Sequence, residues 1–141
     1  MVGERTAEDI KLSIGGAYPS DETLTMDIRG RDLVTGLPKN VIINSDEILM
    51  AMSEPISAII DAIKYTLEKT PPELAADIMN RGIYLAGGGA LIKGIDKLIN
   101  KETGMPVKIA DNALDCVVTG AGNVAENLDV LKEILTSRRM R

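Results

Sequence analysis

The sequence contains no histidine, no tryptophan, no phenylalanine and a single cysteine, Cys116. Without histidine there is no imidazole general acid or base and no histidine-ligated zinc. One cysteine forms neither an internal disulfide nor a thiolate cluster, a usage that fits a reducing compartment. The stretch "DCVVTG" around it is an apolar entry to a helix, so Cys116 is expected as a buried structural thiol and not a nucleophile. Three scattered tyrosines give no stacking platform for single-stranded nucleic acid. No apolar run approaches the ~18 residues of a bilayer span, and Met1 to Lys11 lacks the apolar core of a secretory signal. The net charge of -5 runs against the clustered cations of a nucleic-acid footprint, so no nucleic-acid partner is expected.

What is present suits a folded chain. A hydrophobic fraction of 45% over 141 residues supplies a core for one ordinary domain or two small lobes. Glu4 to Ile14 reads as a helix, with Thr6 as N-cap, Asp9 as its capping-box partner, and Ile10 and Ile14 on one face. Gly15 and Gly16 end it. "TLTMDIRG" alternates Leu24, Met26 and Ile28 with polar residues, a half-buried strand. After the Gly36 and Pro38 turn, "NVIINS" is a second strand, and the two suggest a β-hairpin. Its charged residues Asp27, Arg29, Arg31 and Asp32 read as a solvated face. Ser45 signals a short helix to about Met52, and Pro55 opens the next, where Ile56, Ile59, Ile60, Ile63 and Leu67 keep helical spacing. Thr70-Pro71-Pro72 stops it, and Glu73 to Met79 is a further short helix.

From Ile83 the pattern is strand, helix, strand, helix: "IYLA", Leu91 to Asn100, Pro106 to Ala110, and Thr119 to Asn127, with Leu128 to Ser137 as an extension and "RRMR" as a frayed tail. This alternation implies a parallel or mixed sheet covered by helices. The best internal boundary lies near Ser53 to Pro55. It divides the chain into 1–53 (helix, hairpin, helix) and 54–141 (an α/β part).

"IYLAGGGALIKGIDKL" places Gly87, Gly88 and Gly89 between a strand and a helix. At such junctions α/β sheets bind ligands, and bare backbone can approach them closely. The phosphate signatures G-x-x-x-x-G-K-[ST] and G-x-G-x-x-G do not match. On spacing alone, a structural turn and a ligand contact stand as equal readings.

"RGIYLAGGGALIKGIDKL" resembles the adenosine motif of the actin-like ATPase superfamily, in the version of the bacterial actins of the MreB/Mbl family. "GERTAEDIK", "IRGRDLVTGLPK", "LEKTPPELAADIMNRG" and "ALDCVVTGAGNVAEN" resemble the same family, in order, over essentially the whole chain. The fold the resemblance implies is α/β, the C-terminal lobe of the actin-like (ribonuclease H-like) fold, with a mixed sheet, flanking helices and a small helix/β-hairpin subdomain. Residues 1–53 would be part of subdomain IIB and 54–141 would be of IIA type. A full-length member is longer, and its first part carries two phosphate loops, "DxGT"- and "DxGGGT"-like, which this sequence lacks.

The resemblance further implies an ATP/ADP site. Thr6, Ala7, Glu8, Asp9 and Lys11 would flank base and ribose from one side, and Ala86, Gly87, Gly88 and Gly89 from the other. Glu8 is the acceptor for ribose hydroxyls, and the Lys11 stem packs on the purine. Taken alone, Glu8 and Lys11 read as an ordinary surface ion pair. Ala86 stands where the family usually has threonine, a lost hydrogen bond of about 0.5–1.5 kcal/mol.

No catalytic residue and no metal ligand are expected here, since Mg²⁺ belongs to the full-length parent. That parent would be a polymerising cytoskeletal protein that maintains rod shape. It would be cytoplasmic and membrane-associated, with itself and membrane-linked morphogenesis proteins as partners. This chain alone would be inactive as an ATPase. The alternatives are a protein–protein interaction module with weak or lost nucleotide binding, and an unrelated small α/β transferase.

Overall fold

The computed structural model describes residues 1–128. In chain order it contains α1 (Glu4–Ile14), β1 (Thr25–Arg31), β2 (Pro38–Asn44), α2 (Ser45–Glu68), α3 (Pro72–Arg81), β3 (Ile83–Leu85), a short 3-10 turn (Gly88–Leu91), α4 (Ile95–Thr103), β4 (Val107–Ile109) and α5 (Cys116–Glu126). The extension expected beyond Leu128 lies outside the described residues.

Strands β1 and β2 form an antiparallel hairpin, in register from Thr25 opposite Asn44 to Arg31 opposite Pro38. Its connection is closed by side chains whose roles the sequence did not reveal. Asp32 Oδ1 accepts from the amides of Val34 at 2.8 Å and Thr35 at 3.3 Å. These two bonds hold its carboxyl below the ordinary value, helped by Lys39 and opposed by desolvation. Arg31 Nε donates to Gly36 O at 3.1 Å. Half of the supposed solvated charge is therefore turn chemistry.

Strands β3 and β4 pair in parallel, Ile83 with Val107 through Leu85 with Ile109. Ile83, Leu85 and Val107 pack against a buried cluster of Ala17, Ile56, Ile60, Ile95 and Ile99. Helices α2 and α4 thus cover one face of the small sheet. Ile10 and Ile14 are buried on α1, as their spacing predicts.

Three local expectations need correction. First, α1 begins at Glu4 with Gly3 at the cap position and no side-chain cap bond, so Thr6 is not the N-cap. Second, the two helices expected on either side of Pro55 are one helix of 24 residues, with Pro55 inside it. An interior proline costs about 3 kcal/mol, and the stripe of buried Ile56 and Ile60 with partly buried Met52 and Ile63 packed on the core outweighs it. The division expected at Ser53 to Pro55 falls within this helix. The cap of α2 is Asn44 instead of Ser45: Asn44 Oδ1 accepts from the Glu47 amide at 2.9 Å, and Glu47 Oε2 accepts from the Asn44 amide at 3.0 Å. Ser45 Oγ accepts from the Leu24 amide at 3.1 Å. Third, the glycine run does not lead directly into a helix. A four-residue 3-10 turn and a left-handed Gly94 intervene before α4.

Candidate functional site

The glycine segment faces α1 across a cleft of about 310 Å³, lined by Glu8, Lys11, Leu12 and Gly15 on one side and by Gly88, Gly89, Leu91, Ile92, Lys93 and Leu114 on the other. Helical periodicity explains the first wall: positions 8, 11, 12 and 15 share one face of α1 and its exit. Ile10 and Ile14 occupy a different face and are buried, which anchors α1 while the Glu8–Lys11 face stays open.

The second wall is built by the exit from β3. The Gly87 amide donates to Ala113 O at 2.7 Å, and the Ala110 amide donates to Leu85 O at 2.9 Å. These bonds draw the 110–115 loop against the glycine segment. Gly87 has φ of 79° and ψ of 177°, a region essentially restricted to glycine. Gly88 and Gly89 differ from it. Neither has positive φ. A Cβ added to Gly89 would meet nothing within 4 Å, and one on Gly88 would meet only Leu114 Cδ2 at an ordinary 3.6 Å. The fold itself therefore requires glycine at 87 alone. At 88 and 89 the missing side chains keep open the space that faces the cleft.

Of the residues expected to form a site, the structure brings Glu8, Lys11, Gly88 and Gly89 together in this cleft. Thr6, Ala7, Asp9, Ala86 and Gly87 do not line it. Thr6 is half-buried, Ala7, Asp9 and Ala86 are exposed, and Gly87 shapes the turn from behind. The apolar lining was missed. Leu12 is 65% exposed, Leu91 52% and Leu114 65%, and all three face one cleft. Leu12 carried a signal, since it stands off the Ile10–Ile14 stripe. Leu114 comes from a loop that no periodicity could place.

A carboxylate, two ammonium groups, bare backbone and three exposed leucines suit a ligand with a flat apolar part and hydroxyl groups. Cys116 is half-buried, with its Sγ directed at the carbonyls of Asp111 and Asn112. No group of His, Cys, Asp and Glu side chains that could hold a metal occurs among the described residues. No helix among them is long and apolar enough to cross a membrane.

This α/β arrangement is an actin-like fold. It aligns with the MamK double helical filament at a TM-score of 0.66 and 20% identity, over 82% of this chain and 35% of that one, a likeness of fold alone. The family model described as MreB/Mbl protein matches residues 1–133, and the chain belongs to that family. It is 49% identical over 131 residues to the cell shape-determining protein Mbl of Bacillus cereus, covering 93% of this chain and 39% of that protein. It is 48% identical over 130 residues to the cell shape-determining protein MreB of Escherichia coli, covering 92% and 38%. MreB5 of Spiroplasma citri bound to ADP superposes with a TM-score of 0.86 at 42% identity, over 96% of this chain and 40% of that one. The same protein bound to AMPPNP gives 0.87. The chain thus spans about two fifths of the length of the curated relatives it matches.

Proposed function

We propose that the cleft between α1 and the glycine segment is the adenosine side of an adenine-nucleotide site in a bacterial actin that polymerises and determines cell shape. One observation carries the site: Glu8 and Lys11, far from Gly88 and Gly89 in sequence, line the same cleft with them. The open space above Gly88 and Gly89 fits a flat base against bare backbone. Glu8 would accept from ribose hydroxyls. The Lys11 stem and Leu12, Leu91 and Leu114 would pack on the purine. That the similar MreB5 of Spiroplasma citri has been solved with ADP and with AMPPNP supports adenine as the base. Polymerisation, a cytoplasmic and membrane-associated location, and morphogenesis partners belong to the same proposal and are carried over from the family. Mg²⁺ and the γ-phosphate chemistry would depend on phosphate loops that this sequence does not contain, so the chain alone would bind without turning over.

An NMR titration of the 141-residue chain with adenosine tests the site. Amide shifts at Glu8, Lys11, Gly88 and Gly89 are expected, and Gly88→Val should remove them while far-UV circular dichroism stays unchanged. If no shifts occur at these positions at millimolar adenosine, or if Gly88→Val leaves them intact, the site is not there.

A further inference from the structure

The two walls of the cleft come from opposite ends of the chain, and one dipeptide joins them. Lys93 O accepts from the Ala17 amide at 2.8 Å, and Gly16 and Lys93 pair as an isolated parallel bridge. Gly94 backs directly onto Tyr18: a Cβ there would stand 2.7 Å from Tyr18 Cβ. The Lys93 side chain adds a different contact, with Nζ donating to Ser13 O at 2.6 Å. Ser13 lies in the last turn of α1, just after Lys11 and Leu12. The last carbonyls of a helix lack intrahelical partners and sit at the negative end of its dipole, so an ammonium is a fitting donor for them. Lys93 also lines the cleft itself.

Resting on the nucleotide reading of the cleft, we infer that Lys93 is a positioning residue. Its ammonium latches the C-terminal turn of α1 to the segment following the glycines, and so fixes the spacing between the Glu8–Lys11 face and Gly88–Gly89. The backbone pairing with Gly16 and Ala17 holds the chain trace with any side chain at 93. The Nζ bond is an exposed contact and adds little to global stability. Its effect falls on the angle of α1, and therefore on a ligand that must touch both walls.

The test uses the full chain as wild type, Lys93→Ala and Lys93→Arg. Adenosine affinity is read by NMR titration, stability by thermal unfolding, and the orientation of α1 against α4 by residual dipolar couplings of the ligand-free protein. Lys93→Ala should weaken adenosine roughly three- to tenfold, the range of one ordinary net hydrogen bond, with an almost unchanged melting temperature and altered α1 couplings. Lys93→Arg, which can still reach the Ser13 carbonyl, should restore both affinity and couplings. Wild-type affinity in Lys93→Ala overturns the inference, as does equal loss in Lys93→Arg. Should the wild type itself bind no adenosine, the nucleotide reading fails, and the couplings alone judge the latch: unchanged α1 couplings in Lys93→Ala sink it and changed ones sustain it.

Discussion

Lys64 Nζ lies 2.6 Å from Glu102 Oε2 and ties α2 to the end of α4. The pair stands one turn beyond Ile60 and Ile99, the two buried isoleucines that join the same helices in the core. The hydrogen bond from Lys64 holds the Glu102 carboxyl below its ordinary value, with the Lys64 charge second and desolvation opposing. A depressed carboxyl adds stability above its unfolded pKa of about 4.3 and loses it as pH falls through the folded value. Glu102→Gln should therefore lower the urea midpoint at pH 7 and converge on the wild type at acid pH, below the depressed folded value. Added salt should narrow the gap at pH 7, because both side chains are more than a third exposed. A gap of equal size at both pH values would exclude the ion pair as its source.

The two glycine regions should respond oppositely to a methyl group. Gly82 has φ of 84° and ψ of -172°, and a Cβ there would lie 2.4 Å from Pro106 O, beside the bond from the Ile83 amide that begins the β3–β4 pairing. Backbone strain and overpacking together predict a loss of about 2–4 kcal/mol for Gly82→Ala. Gly89→Ala meets open space at ordinary φ and should stay within about 0.5 kcal/mol of the wild type. Chemical denaturation of both variants checks this. A destabilised Gly89→Ala would mean that the glycines serve the fold.

Capping separates two helices whose start signals look alike in the sequence. Asn44 and Glu47 form both bonds of a capping box, so Asn44→Ala should cost roughly 1 kcal/mol. Thr6 makes no cap bond, so Thr6→Ala should cost almost nothing through capping. Urea midpoints of the two variants would decide, and similar losses in both would contradict the assignment of the caps.

These caps also show where the sequence could be read and where it could not. Helix α1 was legible because Ile10 and Ile14 repeat at helical spacing and glycines follow. The hairpin was legible because Met26 and Ile28 alternate with polar neighbours. Both signals are local. The continuity of α2 through Pro55 was not legible, because it is decided by Ala17, Ile95 and Ile99, which are distant in sequence. At the cleft, Glu8, Lys11, Gly88 and Gly89 are singled out only by a family resemblance, which also names Thr6, Ala7, Asp9, Ala86 and Gly87 that do not line it. Periodicity alone leaves Glu8 and Lys11 as a surface ion pair and the glycines as a turn. Leu114 and Lys93 were missed for the same physical reason as α2. Leu114 reaches Gly88 through the Gly87 amide bond to Ala113, and Lys93 reaches α1 through the carbonyl of Ser13, 80 residues away.

The final prediction rests on the proposed nucleotide site and concerns which part of a nucleotide it would hold. The cleft offers Glu8 for hydroxyls and Leu12, Leu91, Ile92 and Leu114 for a base. Of its two cationic side chains, Lys93 is committed to Ser13, and Lys11 shares a helix face with Glu8, whose negative charge opposes a phosphate. No DxGT- or DxGGGT-like stretch occurs in the 141 residues. Adenosine, ADP and ATP should therefore bind nearly alike, with Kd of ~0.1–1 mM, or about 4–5.5 kcal/mol. Glu8→Gln should weaken all three by a similar factor, because in the proposed site the lost acceptor would face the ribose common to them. Incubation with Mg²⁺ and ATP should release no phosphate above background, since phosphoryl transfer depends on positioned metal and phosphate contacts. Parallel NMR titrations and a phosphate-release assay on the 141-residue chain measure both outcomes. Affinity that rises tenfold or more from adenosine to ATP would show that the phosphates, and not the base and ribose, are what the cleft recognises. Turnover that vanishes with Glu8→Gln would show that catalysis resides in this chain.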